Sequence, residues 1–558
     1  MLSKWLAERE HYVLERSINR HREQGTGMNN HRGNGAGGYM KHPTQRRYDA
    51  VVIGAGNGGM AAACQIAVKG KKVLLLEQHN IIGGFSTSFV RGRFEFEASL
   101  HELCELGPAS DKGILRRMLD ELGVEVDWIH VPEAYRLIVA SQGIDVVLPF
   151  GVNEFIDAME GYVPGSKKAV RLFFDLAQEA CEAMYHVQDL QTRVRDLSKP
   201  YMLRNYPNFL KTGAYSVEEV FEAVKMPQRA RDILSAYWCY LGVPLTRMDF
   251  SFYGYMVYEY IRRKAAIPRY RSTEIALAFG KRIQECGGEI ECNTRVEKVL
   301  VENGQVKGVK TSLGETILTT QVICNASPYH LYQHMIEPSS EVPRRALQEL
   351  SGRRKSISGF IVFLGLDKSP QELGLKDYSY FIYDIMDTEK LYNDLHLPGR
   401  PTMQATVCLN NALPDCSPPG TTILSMTVLP KQEAWKGATA ENYYSMKSET
   451  AKAVIESFEK GTGTSVSEHI EEIEIAAPHT YARYANSYQG LIYGYETYGW
   501  DGVIPRVMMM EADQLIRGLR IASAYGARSL GYSSAMLNGR TMALYALEEM
   551  GRNPGAHA

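Results

Sequence analysis

A glycine cluster near residue 54 carries the clearest chemical signal in the sequence. The run Gly54-Ala-Gly56-Asn57-Gly58-Gly59 lies between an apolar stretch, YDAVVI, and a stretch typical of a helix, MAAACQIAVKG. In a strand–turn–helix unit such glycines permit a tight turn, let the backbone approach a diphosphate and let the helix pack closely on the strand. The helix N-terminus also offers free N–H groups to the phosphates. The cluster therefore predicts a binding site for the diphosphate of a dinucleotide.

An acidic residue follows at the expected distance. A second apolar stretch, KKVLLLEQH, places Glu77 at its end, 23 residues after Gly54. A carboxylate at this point can accept hydrogen bonds from both ribose hydroxyls of an adenine dinucleotide and would repel a 2′-phosphate. Another GxGxxG match, which begins at Gly33, has no strand before it and no helix after it, so we assign it no site.

A second glycine pair distinguishes between dinucleotides. Gly83-Gly84 follows Glu77 within seven residues, whereas a nicotinamide-binding domain normally continues into further βαβ units. A Gly-Gly pair just after the ribose acid is typical of FAD proteins of the glutathione-reductase-like class. We therefore predict FAD as the cofactor and extend its site to a second set of residues: Gln78, Gly83, Gly84, Phe85 and Ser86.

The same region resembles a known family. The run VVIGAGNGGMAAACQIAVKGKKVLLLEQHNIIGGFSTSF is similar to the amino terminus of phytoene desaturases, carotenoid isomerases and retinol saturases, which are FAD enzymes acting on conjugated or polyene lipids. GGEIECNTRVEKVLVENGQVKGVKT resembles their second FAD segment, and GLRIASAYGARSLGYSSAMLNGRTMA occupies the place of their last FAD contacts. The resemblance implies further cofactor contacts at Val296, Ala524, Gly526 and Met536.

Two motifs depart from the carotenoid desaturases. Those enzymes usually carry a Gly-Gly pair before the second FAD segment, where this chain has Arg269-Tyr-Arg-Ser-Thr273. Their terminal motif contains His-Pro-Gly, where this chain has Ala524-Tyr-Gly526-Ala-Arg528. FAD binding is thus implied more directly than a carotenoid substrate.

The stretch after the second glycine pair contains the candidate catalytic residues. In the resemblance, FEFEASLHE approaches the flavin, with Glu97 and His101 as its titratable candidates. His101 is either a proton donor or a hydrogen-bonded structural histidine. Glu97 is better suited to seating the cofactor than to acting as a base.

Tyrosine is unusually abundant, with 33 Tyr against 17 Phe. Flat conjugated ligands stack well on aromatic side chains, and tyrosines crowd one predicted helical region. They either form the wall of a substrate channel or pack in the core. The channel hypothesis assigns substrate contacts to Tyr237, Tyr240, Tyr253, Tyr258 and Tyr493.

These residues require an α/β fold. A strand, helix and strand within residues 48–79 predict a parallel pair in a Rossmann-type, glutathione-reductase-like FAD domain, accompanied by a mixed sheet-and-helix substrate domain. Four β-rich runs within residues 356–430 predict an antiparallel sheet. The predicted segments are an N-terminal basic extension with linker (1–47), FAD segments (48–150, 276–330, 481–558) and substrate segments (151–275, 331–480).

Composition excludes several classes. The net charge is −2, so the chain has no global basic field for nucleic acid. The nine cysteines form no CxxC and no zinc-type spacing, and we predict no metal site. P-loop, HExxH and strand-to-helix GxSxG motifs are absent from the sequence. No secretory signal is visible, and we expect a cytoplasmic protein.

The N-terminal extension carries nine Lys/Arg against four Asp/Glu up to Arg47. One interpretation is a peripheral membrane contact through an amphipathic helix, and the other is a loosely ordered extension or a helix docked on its own protein.

The preferred function is an FAD-dependent oxidoreductase acting on carbon–carbon double bonds of a long conjugated substrate. Natural-product biosynthesis is a candidate setting for such an enzyme. Saturation, reductive cyclisation and isomerisation are favoured over desaturation because both desaturase motifs are altered. NAD(P)H is a candidate transient electron donor. The alternatives are an amine-oxidase-type flavoenzyme and a non-catalytic flavin- and lipid-binding protein. The sequence predicts no oligomeric state.

Overall fold

The structure is a computed structural model, and it describes residues 46–188, 198–399, 401–496, 506, 514–526 and 531–552. The predicted N-terminal helix and the glycines from Gly33 to Gly38 lie outside these residues.

The strands follow one another along the whole described chain. In order they are β1 (Arg46–Arg47), β2 (Ala50–Ile53), β3 (Val73–Leu76), β4 (Ser88–Arg91), β5 (Phe94–Glu97), β6 (Trp128–His130), β7 (Tyr135–Val139), β8 (Ile144–Leu148), β9 (Ala266–Pro268), β10 (Glu289–Glu291), β11 (Val296–Glu302), β12 (Gln305–Thr311), β13 (Thr316–Leu318), β14 (Val322–Cys324), β15 (Ile336–Glu337), β16 (Phe360–Leu366), β17 (Ser379–Tyr383), β18 (Met403–Cys408), β19 (Thr422–Val428), β20 (Ile470–Ala476) and β21 (Leu519–Ile521).

The α-helices cluster between the strands. In order they are α1 (Asn57–Val68), α2 (Ile114–Leu122), α3 (Val152–Tyr162), α4 (Lys167–Gln188), α5 (Lys199–Asn205), α6 (Pro207–Thr212), α7 (Val217–Ala223), α8 (Gln228–Leu234), α9 (Phe250–Arg263), α10 (Ser272–Glu285), α11 (Pro328–His330), α12 (Arg344–Gly352), α13 (Thr388–Asp394), α14 (Tyr443–Thr462), α15 (Pro478–Tyr484) and α16 (Tyr532–Arg552).

The first sheet is the predicted parallel one, with strand order β10-β3-β2-β14-β21. Every pair in it is parallel, and β2, β3 and β14 are buried throughout, as expected for a sheet covered on both faces. Helix α1 packs against α10 and α16. Because parallel strands end at one edge, the residues that follow β2, β3, β14 and β21 meet there, and ligands of open α/β sheets bind at such an edge.

A seven-stranded sheet has the order β20-β16-β19-β18-β17-β7-β8. The four β-rich runs correspond to β16–β19, and their predicted antiparallel pairing is present in the β16–β19, β18–β19 and β17–β18 pairs. Strands β7 and β8 join the same sheet through a parallel β17–β7 pair. The segment boundaries remain predictions, and this pairing favours ending the first FAD segment before β7 rather than at residue 150.

A third sheet, β1-β13-β12-β11-β15, flanks the parallel one. Strands β11 and β12 form a hairpin whose turn residues, Asn303 and Gly304, both have positive φ, as the commonest two-residue hairpin turn requires. The hairpin fixes the start of β11, and Thr294, just before it, donates its N–H to the carbonyl oxygen of Glu77 at 2.8 Å.

The segment of the chain between β8 and β9 is mostly helical, as predicted, and contains α3 to α9. Among these helices, α4 and α9 pack against each other most extensively. Among the described residues, no helix combines the length and apolar character needed to span a bilayer.

Candidate functional site

One large cavity joins the edge of the parallel sheet to the helical region. Its volume is about 1430 Å³, and its lining extends from Gly54, Gly56 and Glu77 to Tyr240 and Tyr260. Pockets for single small ligands usually measure ~300–1,000 Å³. The cavity is therefore large enough for a cofactor and a second molecule.

The glycine cluster divides three tasks among its members. Gly54 has φ +88°, so it makes the turn that a side chain would strain. Gly56 precedes α1 and lines the cavity, and a Cβ there would lie 2.7 Å from Asn325 Nδ2. Cβ atoms on Gly58 and Gly59 would lie 2.0 Å from the Ala522 carbonyl and 1.9 Å from the Gly54 carbonyl. Gly59 does not line the cavity, and its contribution is close helix–strand packing.

The predicted ribose acid is held in place by the backbone. Glu77 lines the cavity, and its carboxylate accepts hydrogen bonds from the Ala55 N–H at 2.7 Å and the His79 N–H at 2.8 Å. Gln78 and Val296 line the same part of the cavity. These positions agree with a ribose and adenine site.

The second glycine pair packs against the glycine cluster that precedes α1. Gly83 donates its N–H to the Ala55 carbonyl at 2.8 Å, and a Cβ on Gly84 would lie 3.0 Å from the Gly56 Cα. Gly84 and Phe85 line the cavity. Gly83 and Ser86 do not line it, and their predicted part in cofactor binding stays a prediction. Ser86 is buried and donates its hydroxyl to Asn57 Oδ1 at 2.7 Å, so it orients the first turn of α1.

The C-terminal segment reaches the cavity through fewer of the predicted residues. Ala524 lines it, whereas a Cβ on Gly526 would lie 2.1 Å from Asn538 Nδ2 and Gly526 does not line it. Met536 is fully buried in the core and also does not line it, so its cofactor contact stays a prediction that the lining does not support. The lining is formed instead by the residues that begin α16: Tyr532, Ser533, Ser534 and Ala535.

Two helices thus begin at one cavity. The first turns of α1 and α16 both contribute lining residues, and neither contains an acidic side chain. Their N-terminal partial charges favour an anion such as a diphosphate. Asn325, which follows β14, also lines the cavity. Sequence reasoning missed it, although its position at the end of a parallel strand was an available signal.

His101 is half-buried in the cavity wall. It lines the cavity, its Nε2 lies 2.9 Å from Ser379 Oγ, and its ring stacks on Phe381 at 5.6 Å. Burial lowers the pKa of His101 to about 3. The imidazolium is therefore not populated at neutral pH, and the proton-donor hypothesis is restricted to the neutral ring. The geometry favours the hydrogen-bonded structural role.

Glu97 does not line the cavity. It is buried and accepts hydrogen bonds from the Ser272 N–H at 2.7 Å and the Leu100 N–H at 3.4 Å. Burial raises the pKa of Glu97 to about 7. The contact with Ser272 ties β5 to the start of α10, which favours a supporting role for Glu97 over a catalytic one.

Only some of the tyrosines predicted to contact the substrate line the cavity. Tyr240 and Tyr493 line the cavity, whereas Tyr237, Tyr253 and Tyr258 do not, so the lining supports the predicted substrate contact for the first two only. Tyr237 and Tyr253 donate their hydroxyls to backbone carbonyls of Ala134 and Leu234. The face of α9 that lines the cavity contains Phe252, Tyr255, Met256 and Tyr260. Its spacing of three to four residues is the helical period, which sequence reasoning could have used.

Within the described residues, no group of His, Cys, Asp or Glu side chains could hold a metal ion. The residues present do fit FAD. A Cβ at Gly56 would fill the cradle beside the two helix N-termini, and Glu77 lies where the ribose acid is expected.

Comparisons with known proteins establish the family of the chain. The family model for flavin containing amine oxidoreductases matches residues 58–532. The all-trans-retinol 13,14-reductase of Danio rerio is 25% identical over 505 residues, which cover 84% of this chain and 80% of the relative. The chloroplastic prolycopene isomerase of Daucus carota is 24% identical over 456 residues, which cover 79% and 70%. The 4,4'-diapophytoene desaturase (4,4'-diapolycopene-forming) of Methylomonas sp is 26% identical over 372 residues, which cover 62% and 67%.

A solved structure shows the same fold. An oxidoreductase from Methanosarcina mazei superposes with a TM-score of 0.58 at 15% identity and covers 88% of this chain and 99% of its own. This likeness confirms the predicted α/β fold with its Rossmann-type FAD domain. The family match over most of the chain also confirms the predicted cofactor. The chain belongs to the flavin-containing amine oxidoreductase family and is an FAD-dependent oxidoreductase.

Proposed function

We propose that this enzyme acts on a carbon–carbon double bond of a long conjugated substrate. The observation that carries the proposal is the continuity of the cavity, which extends from the FAD residues to an aromatic region without a wall between them. The names of the relatives, a retinol reductase, a prolycopene isomerase and a diapophytoene desaturase, support the same substrate class.

Saturation, reductive cyclisation or isomerisation is favoured over desaturation. Both motifs that distinguish carotenoid desaturases are altered in this chain, at residues 269–273 and 524–528. In the first of them, Arg271 is buried and donates to the carbonyl oxygens of Glu95 and Cys416. Arg271 therefore makes local backbone contacts in this chain, and the glycine pair of the desaturases is not retained here.

The protein's own residues bind, orient and exclude water. The glycine cradle and the two helix N-termini would hold the diphosphate of FAD, and Glu77 would hold its ribose. Bound FAD supplies hydride chemistry at its N5. The aromatic side chains from α9 and from Tyr240 orient a flat substrate and keep water from the reacting carbons.

Two finer features belong to this proposal. NAD(P)H is the proposed transient electron donor, since the other GxGxxG match in the sequence, at Gly33, has no strand pattern before it and no helix pattern after it and so predicts no tightly held nicotinamide. A peripheral membrane contact through the basic N-terminal extension, on a cytoplasmic enzyme, would give access to an apolar substrate.

A substrate panel tests the class of reaction. We expect polyene alcohols or carotenes to perturb the flavin absorbance of the holoenzyme and expect amines to leave it unchanged. Each compound is titrated into oxidised enzyme in air, and hydrogen peroxide is measured. Flavin reduction by an amine with release of hydrogen peroxide, and no response to any polyene, would establish the amine-oxidase alternative instead.

A further inference from the structure

Tyr240 and Glu102 form a hydrogen-bonded pair in the wall of the cavity. Both residues line it, and the Tyr240 hydroxyl oxygen lies 3.0 Å from Glu102 Oε1. Tyr240, at the end of the 3₁₀ helix Ala236–Tyr240, is half-buried, whereas Glu102 is only 4% exposed. The second carboxyl oxygen, Oε2, is buried and has no hydrogen-bond partner among the described residues. The tyrosine is therefore the member of the pair that a ligand in the cavity can contact.

Glu102 is held as a neutral acid. Burial raises the pKa of its carboxyl well above the usual range, and the like charge of nearby Glu133 raises it further. The carboxyl consequently carries a proton at neutral pH. This state suits the unpaired Oε2, because a buried carbonyl oxygen without a partner costs less free energy than a buried carboxylate oxygen without one. When the proton is on Oε1, Glu102 donates to the Tyr240 oxygen and leaves the phenol O–H available to a ligand.

Packing fixes the ring of Tyr240. Its centroid lies 5.1 Å from that of Tyr237, 5.4 Å from that of Tyr260 and 5.7 Å from that of Phe381. These three neighbouring side chains are themselves buried. A ring held in this way keeps its hydroxyl in one place, as efficient proton transfer to a bound substrate requires.

The proposed reduction needs an acid in the cavity wall. Saturation of a carbon–carbon double bond consumes a hydride and a proton, and the hydride is the chemistry that bound FAD supplies. His101 is a poor source of the proton, because burial lowers its pKa to about 3 and leaves the ring neutral. Tyr255 forms a comparable pair with Glu105, but the Tyr255 side chain is only 7% exposed. The pair of Tyr240 and Glu102 is better placed than these groups to protonate a substrate carbon.

We propose that Tyr240 is the proton donor of the reductive reaction and that Glu102, acting only through Tyr240, restores its proton. This inference rests on the proposed function in its reductive forms. In saturation, the π bond breaks as one carbon gains the hydride, and the other carbon takes the proton of the Tyr240 hydroxyl. Glu102 Oε1 passes its own proton to the tyrosine oxygen, so the negative charge ends on a carboxylate rather than on a phenolate. Water that enters the cavity after product release returns the proton through Tyr240.

Anaerobic single turnover of the photoreduced holoenzyme, with all-trans-retinol and with lycopene, tests the donor. The rate of flavin reoxidation and the product mass are measured, and the dissociation constant of each polyene is measured with the oxidised enzyme. Tyr240→Phe should lower the rate by ~10²-fold or more, because a general acid contributes ~10²–10⁴-fold, while the dissociation constants and the FAD content stay unchanged. Tyr215→Phe, at a tyrosine that is 52% exposed, is the matched control and should keep the wild-type rate.

Glu102 is tested by coupling and by infrared spectroscopy. Glu102→Gln should slow reoxidation by at least ~10-fold, and the double variant should be no slower than Tyr240→Phe, because the glutamate acts only through the tyrosine. The infrared difference spectrum between resting wild-type holoenzyme and Glu102→Gln should contain the C=O stretch of a protonated carboxyl, a readout that needs no turnover. Thermal denaturation establishes that each variant is folded, and if Tyr240→Phe is not, the rate and the spectrum of Glu102→Gln decide.

Four results would overturn the proposal. Reoxidation of folded Tyr240→Phe at the wild-type rate, or a loss that appears in Tyr255→Phe instead, would refute the donor and leave the proposed function standing. An unchanged product mass would show that the reaction takes up no proton. A carboxylate band in place of the protonated one would remove Glu102 as the proton source. Reoxidation of the wild type by neither polyene would refute the proposed function itself, and the donor with it.

Discussion

At the scale of single residues, the cofactor site depends on what is missing from Gly56. Because Gly56 has no side chain, space remains between the start of α1 and Asn325. Gly56 and Asn325 both line the cavity there. Glu77 depends on the opposite condition, since its carboxylate is held by the N–H groups of Ala55 and His79 before any ligand arrives. Both residues are preorganised, which lowers the ordering cost of binding.

Gly56→Val should abolish FAD binding or weaken it by at least ~10-fold, because the added carbons occupy the space of the diphosphate. Flavin content after reconstitution and the dissociation constant measure the effect. Gly161→Ala is the control, since a Cβ there meets nothing within 4 Å. A folded Gly56→Val protein that binds FAD with unchanged affinity would contradict this site.

His101 should contribute little as an acid. Because its pKa is lowered to about 3, it does not ionise between pH 5 and 9, and no step near pH 6.5 should arise from it. We expect His101→Gln to lower kcat by less than ~10-fold, against the ~10²–10⁴-fold contribution of a general acid. The pH–rate profiles of both proteins measure this. A loss above ~100-fold at normal FAD content, with a step near pH 6.5 confined to the wild type, would restore the proton-donor role.

At the scale of elements, the FAD site depends on how closely α16 approaches α1. A Cβ on Gly539 would lie 1.9 Å from the Gly58 carbonyl oxygen, so the two helices meet through glycine backbone. This contact sets the position of the α16 N-terminus relative to the glycine turn.

Gly539→Ala should therefore separate the helices. We expect a loss of about 1–3 kcal/mol in the free energy of unfolding, the usual cost of overpacking, together with weaker FAD binding. Denaturant unfolding and flavin titration measure the two effects. Gly551→Ala, in the same helix with nothing within 4 Å, should be neutral or slightly stabilising. Equal behaviour of the two variants would show that the helix contact is unimportant.

Elements defined by local signals were predictable from the sequence. The β2–α1–β3 unit was predictable because its apolar runs, its glycines and its acidic residue lie close together in the chain. The four antiparallel strands also followed from alternating β-rich runs and turn residues.

Features that depend on distant pairing were not predictable in this way. Strand β7 joins the seven-stranded sheet because Tyr380 pairs with Arg136, a contact across more than 240 residues that leaves no local mark. The same limit applies to Met536, suggested by the family resemblance, and to Tyr253, suggested by the crowding of tyrosines. Neither signal could show that the packing of α16 and α9 buries both side chains in the core.

At the scale of the whole molecule, one cavity is lined by residues of both the parallel sheet and the seven-stranded sheet. The glycine motif begins only at Gly54, after a glycine-rich linker, so deleting residues 1–44 should leave FAD content unchanged. Flavin content and thermal denaturation of the truncated protein measure this. Loss of flavin from a folded truncated protein would show that the extension takes part in the site.

The same truncation tests the membrane proposal. The extension to Arg47 has nine basic and four acidic residues, so it should attract anionic vesicles at low salt. Full-length protein should float with such vesicles, and the truncated protein should not. Equal flotation of both would eliminate the extension as the membrane contact.

The central claim is that the enzyme with reduced cofactor, and not the oxidised enzyme, converts a double bond of a conjugated substrate in this cavity. The most direct measurement is an anaerobic single turnover, in which photoreduced enzyme is mixed with all-trans-retinol or a longer polyene while flavin absorbance is followed and the product mass is determined. We predict flavin reoxidation with a product two hydrogens heavier, or, for isomerisation, an unchanged mass with altered double-bond geometry. Reaction only with oxidised enzyme, giving a product two hydrogens lighter, would contradict the claim and identify a desaturase.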